Sequence, residues 1–322
     1  MRSWWMNTTA SEARLELRDL RLPDPGPGQL LVRVRAAGVN RGEFIIGGLV
    51  KAGNAKALGI EAAGEVVKAG SGTRRFGEGA RVMGRFAGGM ADYVLANEAE
   101  ALPVPDGVSW EEAGSLPTAA MVAHDMLVLQ GGLQAGGWLL VTGITSGVGV
   151  ACLQIAKALG ARVIGTSGSR EKLDKLRPLG LDLAIASRAP DFQAQVLEAT
   201  GGAGVNLVVN NVGGTVFAEA VRCLAFQGRL ATVGYVDGVL KADIDLQALH
   251  AKRLVLFGVS NKMTSPAHKA EATAKFEQQM LPLVAQGPLR PLVDRVFPFE
   301  QRPEARAHME ANAHVGKIVV RM

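Results

Sequence analysis

The residues Thr142-Gly143-Ile144-Thr145-Ser146-Gly147-Val148-Gly149 have the types and spacing of a phosphate-binding turn. They follow a continuous apolar run, Trp138-Leu139-Leu140-Val141-Thr142, and lead into an apolar segment, Gly147 to Leu159, that reads as a helix. Backbone N–H groups at the start of that helix, with its positive dipole end, would hold a pyrophosphate. Glycine at 147 and 149 lets a ligand approach the backbone and lets the helix pack on the strand. The spacing departs from G-x-G-x-x-G, so the strand–turn–helix context carries the reading; a tight junction without a ligand is the alternative.

The next strand bears on which dinucleotide would fit. An NAD site wants Asp or Glu about 20 residues after the turn, to bind the ribose 2′-OH. Here the strand Arg162 to Thr166 runs into Ser167-Gly168-Ser169 with no acid, followed by Arg170 and Lys172. Hydroxyls, backbone N–H groups and cations suit a 2′-phosphate, so NADPH is the expected cofactor. The alternative for Lys172 is a solvated helix residue beside Glu171 and Asp174.

Other reactive residue types are scarce: two Cys, five His and two Tyr. Cys152 and Cys223 are too few for a disulfide scaffold or a Cys-rich zinc site. The turn also fits the T-G-x-x-x-G-x-G pattern of short-chain dehydrogenases, which need a Tyr with a Lys four residues on. Tyr93 has Asn97 there and Tyr235 has Val239, so that chemistry is excluded.

The elements that must position this turn alternate regularly. After the helix from Gly147, strands are expected at Arg162–Thr166, Leu183–Ile185, Val205–Asn210, Arg229–Val233 and Leu254–Gly258. Helices fit between them at Ser169–Leu179, Pro190–Thr200 and Thr215–Leu224, which makes a doubly wound α/β domain. The first third is β-rich, with Leu31-Val32-Arg33-Val34-Arg35-Ala36 alternating at period two. Ser109 and Glu112 form a capping-box pattern that should start a helix. The tail reads as an amphipathic helix from Ala267 to Ala285, a strand Val293–Phe297, a last helix and a strand Lys317–Val320.

Composition agrees with a globular chain: 322 residues, 48% apolar, 20% charged, with 35 basic and 30 acidic residues interspersed. There is no basic stripe of the nucleic-acid kind and no apolar run of membrane-span character. No signal peptide is expected, and the cytoplasm is the expected location.

The chain resembles the medium-chain dehydrogenase/reductase superfamily, specifically its zinc-free quinone oxidoreductase branch. The resemblance rests on Val34 to Asn40, Gly59-Ile60-Glu61-Ala62-Ala63-Gly64, Gly89-Met90-Ala91-Asp92-Tyr93 and Ser109-Trp110-Glu111-Glu112-Ala113. It continues through Ser146 to Gly149, Gln154-Ile155-Ala156-Lys157, Val212-Gly213-Gly214 and Gly316-Lys317-Ile318-Val319. It implies a GroES-like β-rich catalytic domain over 1–120 and 265–322 and a Rossmann NADPH-binding domain over 121–264, with a cleft between them.

Zinc alcohol dehydrogenases of that superfamily carry Cys where Asn40 stands and His where Ile60 stands, so a Lewis-acid mechanism lacks its ligands. By resemblance Asn40 belongs near the nicotinamide, Lys317 is a further cofactor residue, and Glu43 fills the usual acidic position of that loop. Ser146, Gly147 and Val148 match the pyrophosphate turn, and Gly168, Ser169 and Lys172 the adenosine phosphate site. Where relatives often have a Tyr there, this chain has Ser187, with Arg188 beside it as compensation. Gly234 and Tyr235, then Phe257, Gly258 and Val259, match segments that line the nicotinamide pocket. Relatives mostly have Asp where Asn210 stands.

The implied activity is hydride transfer from NADPH to a quinone or to the C=C bond of an α,β-unsaturated carbonyl compound, without zinc. Asn40 and Tyr235 are the catalytic candidates, Tyr235 either as proton donor or as a wall against the cofactor. The substrate pocket would involve the first domain and Lys262 to Ala270. The rival is a non-catalytic NADPH-binding protein of the same fold, redox-sensing or structural; a third reading is an alcohol-oxidising enzyme with a degraded zinc site. Dimers of the superfamily commonly pair edge strands, which implies a homodimer through Leu254 to Ser260.

Overall fold

The computed structural model describes residues 1–8, 13–44 and 55–322. In chain order the strands are β1 (Arg2–Thr8), β2 (Ala13–Asp19), β3 (Gln29–Val39), β4 (Ala55–Ala57), β5 (Ala62–Ala69), β6 (Arg81–Gly84), β7 (Tyr93–Asn97) and β8 (Ala101–Pro103). They continue with β9 (Trp138–Thr142), β10 (Arg162–Ser167), β11 (Leu183–Ala186), β12 (Val205–Asn210), β13 (Leu224–Thr232), β14 (Val255–Gly258), β15 (Val293–Pro298) and β16 (Lys317–Arg321). The α-helices are α1 (Trp110–Ser115), α2 (Pro117–His124), α3 (Gly147–Ala158), α4 (Arg170–Asp174), α5 (Gln193–Ala199), α6 (Phe217–Arg222), α7 (Leu246–Ala251), α8 (Pro266–Gln279), α9 (Leu281–Gln286) and α10 (Arg302–Glu310).

These elements pack as two units. The first comprises Met1–Ala119, Pro266–Ala285 and Pro291–Met322, and the second Ala120–Ser265 with Gln286–Arg290. In the first, β15, β16, β3, β5, β6 and β8 lie side by side, β7 also pairs with β3, and β1 is flanked by β2 and β4. Leu30, Val32 and Val34 point from alternate positions of β3 into one core with Met6, Val66, Phe86 and Phe299. Alternation at period two buries one face of the strand and leaves Arg33 to solvent. Ser109 accepts the Glu112 N–H at 3.2 Å and Glu112 accepts the Ser109 N–H at 2.8 Å, so the capping box starts α1 as its spacing predicts.

In the second unit the order is β11-β10-β9-β12-β13-β14, every pair parallel. This is the doubly wound order 3-2-1-4-5-6, with its switch point between β9 and β12. Leu139, Leu140 and Val141 are fully buried, as a strand covered on both faces must be.

Several expected elements differ. The helix predicted over Ser169–Leu179 stops at Asp174, because the ring of Pro178 opposes the carbonyl four residues before it. The tail helix divides into α8 and α9 around Met280, with Pro282 tolerated in the first turn of α9. α5 starts only at Gln193, and β13 begins at Leu224, claiming the end of the helix predicted to Leu224. The antiparallel pairing of β1 with β2 has no forecast in the sequence, where charged residues break up the apolar signal of β2.

Candidate functional site

In the second unit, the predicted cofactor residues collect at the carboxyl ends of the parallel strands, where ligands of such sheets bind. Ser146 to Val148 follow β9, Gly168, Ser169 and Lys172 follow β10, Ser187 and Arg188 follow β11, Gly234 and Tyr235 follow β13, and Phe257 to Val259 end β14. Ser146 is the N-cap of α3: its Oγ accepts from Gly149 N at 3.1 Å and its carbonyl from Val150 N at 2.9 Å. The N–H groups of Gly147 and Val148 precede the first intrahelical bond, so they are left to meet an anion. Ile144 N donates to Thr166 O at 3.1 Å, which ties the turn to the end of β10.

At that end, no carboxylate follows β10 within Ser167-Gly168-Ser169. Ser169 caps α4, accepting from the backbone N–H of Lys172 at 3.3 Å. Arg188 lies across Gly168: a Cβ added there would sit 2.0 Å from Arg188 Nε and 2.5 Å from its Cγ. Glycine at 168 therefore lets an exposed guanidinium lie over the strand end. Ser187 has a different occupation, with its hydroxyl donating to Asp191 Oδ1 at 2.6 Å and accepting from Ala189 N at 3.0 Å.

Asn210, which the sequence left without a role, locks the switch point. Its fully buried Oδ1 accepts from Thr142 Oγ1 at 3.0 Å and from the N–H groups of Val212 and Gly213 at 3.1 Å each. Its Nδ2 donates to Gly213 O at 2.9 Å, which a carboxylate cannot do. Asn211 adds a bond from Nδ2 to Thr142 O at 3.0 Å, so the ends of β9 and β12 are joined by side chains as well as by the sheet. Tyr235 is 45% exposed, beyond Gly234. Cys152 and Cys223 are buried; burial pushes both thiols up, Cys223 to about 12, so neither supplies a thiolate.

Asn40 and Lys317 lie in the first unit and meet there. Lys317 Nζ donates to Asn40 Oδ1 at 2.8 Å and to Glu61 Oε1 at 2.7 Å, and Asn40 Nδ2 donates to the same Glu61 oxygen at 2.8 Å. Thr118 N donates to Glu61 Oε2 at 2.7 Å. The ion pair is buried, Lys317 at 5% and Glu61 at 0% side-chain exposure. Gly38 makes room for it, since a Cβ there would lie 2.2 Å from Glu61 Oε1. Glu61 has no role legible from its motif; its one signal in the sequence is an acid at the start of an otherwise apolar strand.

Glu43 is also buried. Its carboxylate accepts from Asn40 N at 3.1 Å and Gly59 N at 2.8 Å, bridging the segments that carry Asn40 and Glu61. Burial raises its pKa; the charge of Arg302 and the two N–H donors oppose that rise, and Glu61 adds to it.

Two family models match the chain in succession: an alcohol dehydrogenase GroES-like domain over residues 26–106 and a zinc-binding dehydrogenase domain over residues 147–284. The chain belongs to the medium-chain dehydrogenase/reductase superfamily. A mycobacterial protein of known structure complexed with NADPH matches it with a TM-score of 0.90 at 27% identity, covering 100% of both chains. A quinone oxidoreductase of Pseudomonas syringae pv. Tomato DC3000 matches with a TM-score of 0.88 at 26% identity, again over 100% of both. Among curated proteins, a highly reducing polyketide synthase of Arthrinium phaeospermum is 29% identical over 316 residues, 93% of this chain. The chain spans only 13% of the length of that relative.

Zinc chemistry, which one domain's family name raises, can be tested on the donors present. Asn40 offers an amide and Ile60 no ligand atom, while the Glu61 carboxylate is already paired with an ammonium at 2.7 Å. A divalent cation there would face a like charge, so these residues do not fit the metal. Among the described residues, no three His, Cys, Asp or Glu side chains gather into a metal-holding set. No helix among them is long and apolar enough to cross a membrane.

Proposed function

We propose that this member of the superfamily is an NADPH-dependent, zinc-independent reductase of quinones or of the C=C bond of α,β-unsaturated carbonyl compounds. One observation carries the cofactor choice: the end of β10 has no acid and has Arg188 laid over Gly168. A 2′-phosphate finds a cation there and no like charge. The NADPH-complexed relative supports this reading.

The protein's part is to bind, orient and stabilise. Ser146 holds the first turn of α3 so that the Gly147 and Val148 N–H groups meet the pyrophosphate. Ser169 and Lys172 stand with Arg188 toward the adenosine phosphate, with Ser187 bracing that turn. Gly234, Phe257, Gly258 and Val259 line the nicotinamide end. A bound NADPH supplies the hydride, which adds to the acceptor carbon.

Reduction of an enone leaves negative charge on the carbonyl oxygen, and hydrogen-bond donors near it lower the barrier. Asn40 is the proposed contact on the reacting groups. Its Oδ1 is held by Lys317 and its Nδ2 by Glu61 and the Gly38 carbonyl. Donating to the substrate oxygen would require the Gly38 bond, the longer of the two at 3.3 Å, to give way. The proton that completes the reaction comes from solvent, with Tyr235 serving as a wall. Both the quinone oxidoreductase and the polyketide synthase relative support an electrophilic acceptor. We further propose a homodimer through β14, the edge strand of its sheet, where Val255 is 40% exposed.

The experiment is a panel of quinones, enals, enones and enoyl thioesters offered with NADPH and with NADH. Turnover of one class with a preference for NADPH is expected. NADPH binding with no turnover on any acceptor would instead favour a non-catalytic binder.

A further inference from the structure

Arg302, the first residue of α10, is the largest fully buried side chain among the described residues. Its Nε, Nη1 and Nη2 have no hydrogen-bond partner among the described residues. Its guanidinium lies over the Phe44 ring, 4.8 Å from the centroid, with that of Arg306 also over this ring at 5.1 Å. A guanidinium stripped of water with no acceptor is costly, and an apolar side chain of similar volume would avoid that cost. The nearby charge that favours it is Glu43; Arg306 disfavours it.

We propose that Arg302 is a positioning residue for Asn40, acting through Glu43. The charge of Arg302 opposes the rise that burial imposes on the Glu43 pKa and so favours the carboxylate, the form in which both oxygens are free to accept. One oxygen holds Asn40 N and the other Gly59 N, two residues before Glu61. The loop end that presents Asn40 and the segment that presents Glu61 are thereby fastened at the backbone, while Lys317 fastens the same two residues at their side chains. Three further charged groups act at this place. Glu61 raises the Glu43 pKa, Arg306 stands beside Arg302, and Lys56 donates to the Glu43 carbonyl at 3.0 Å. The Arg302–Glu43 coupling stands on the placing of the unpartnered guanidinium over the ring of Phe44, the residue next to Glu43, and on the charge of each acting on the other. Its consequence for Asn40 rests on the function proposed above.

The test is a double-mutant cycle of R302M and E43Q, with Tm measured between about pH 5 and 8. The folded-state pKa of Glu43 lies above its unfolded value, so stability falls as pH rises from about that unfolded value through the folded one. Removing Arg302 pushes the folded value higher. R302M should therefore lose Tm with rising pH more steeply than the parent, and R302M/E43Q should be flat. A pH-independent Tm shift in R302M, with additive shifts in the double variant, would overturn the proposal and leave Arg302 as core filling.

Activity supplies the second readout. In R302M, kcat should drop several-fold at neutral pH and recover as pH is raised, with KM for NADPH nearly unchanged. A profile merely scaled from that of the parent counts against positioning. If no acceptor is reduced at all, the proposed function fails while the thermal cycle still decides the Arg302–Glu43 coupling.

Discussion

Replacing Arg188 with Ala should separate NADPH from NADH binding while leaving the fold untouched. Arg188 is exposed and lies over Gly168, at the strand end where an NAD-binding chain would carry an acid. A hydrogen bond to a charged group contributes about 1.5–3 kcal/mol, and solvent exposure puts this one at the lower end. Since roughly 1.4 kcal/mol is tenfold, R188A should weaken NADPH about tenfold and leave NADH unchanged. G168A should reproduce the loss from the other side, because its Cβ would sit 2.0 Å from Nε and 2.5 Å from Cγ and so displace a mobile side chain. The double variant should lose no more than either single one. Equilibrium titration of the four proteins with each nucleotide, with Tm as the control for folding, reads all of this. Unchanged NADPH affinity in R188A, or a parent protein that prefers NADH, refutes the assignment.

K317M strands the fully buried Glu61 carboxylate and should destabilise by about 3–5 kcal/mol, with K317M/E61Q recovering part of it; an unchanged Tm contradicts the network. N210D removes the donor to Gly213 O and places a buried negative charge at the switch point, so a loss of about 1–3 kcal/mol and weaker binding of both nucleotides are expected from unfolding and titration. Y235F should leave turnover unchanged, since the ring is assigned a wall; a large fall in kcat would make Tyr235 the proton donor. For Asp294, burial would raise the pKa, but the bonds from His308 and Val315 N and the charges of His308 and His314 hold it below its ordinary 3.8. Its contribution is present above that value and lost as pH falls through the folded one, so D294N should flatten the acid limb of the stability curve.

What the sequence showed and what it hid divide along chain distance. The turn at Gly143 to Gly149 and the missing acid after β10 are local, since strand, turn, helix and strand follow one another directly. The family motif likewise put Asn40 and Lys317 among the site residues. What no local pattern displays is that Lys317 meets Glu61 across 256 positions, or that a buried guanidinium at Arg302 lies over the ring of Phe44, next to Glu43. Such pairs are defined by which strands the tail rejoins. Arg188 was visible as a candidate, yet its place over Gly168 depends on β11 pairing with β10 in register. Asn210 has a comparable history: its identity as an amide makes sense only once its one donor and three acceptor contacts are in view.

Isotope transfer tests the proposed hydride transfer most directly. NADPH deuterated at the reducing carbon of the nicotinamide is incubated with the protein and the acceptor panel, and the products are analysed for label. NADPH should be consumed in step with product and, for an enone or enoyl thioester, deuterium should appear at the carbon β to the carbonyl. Saturable NADPH binding with no consumption and no label in any product would contradict it.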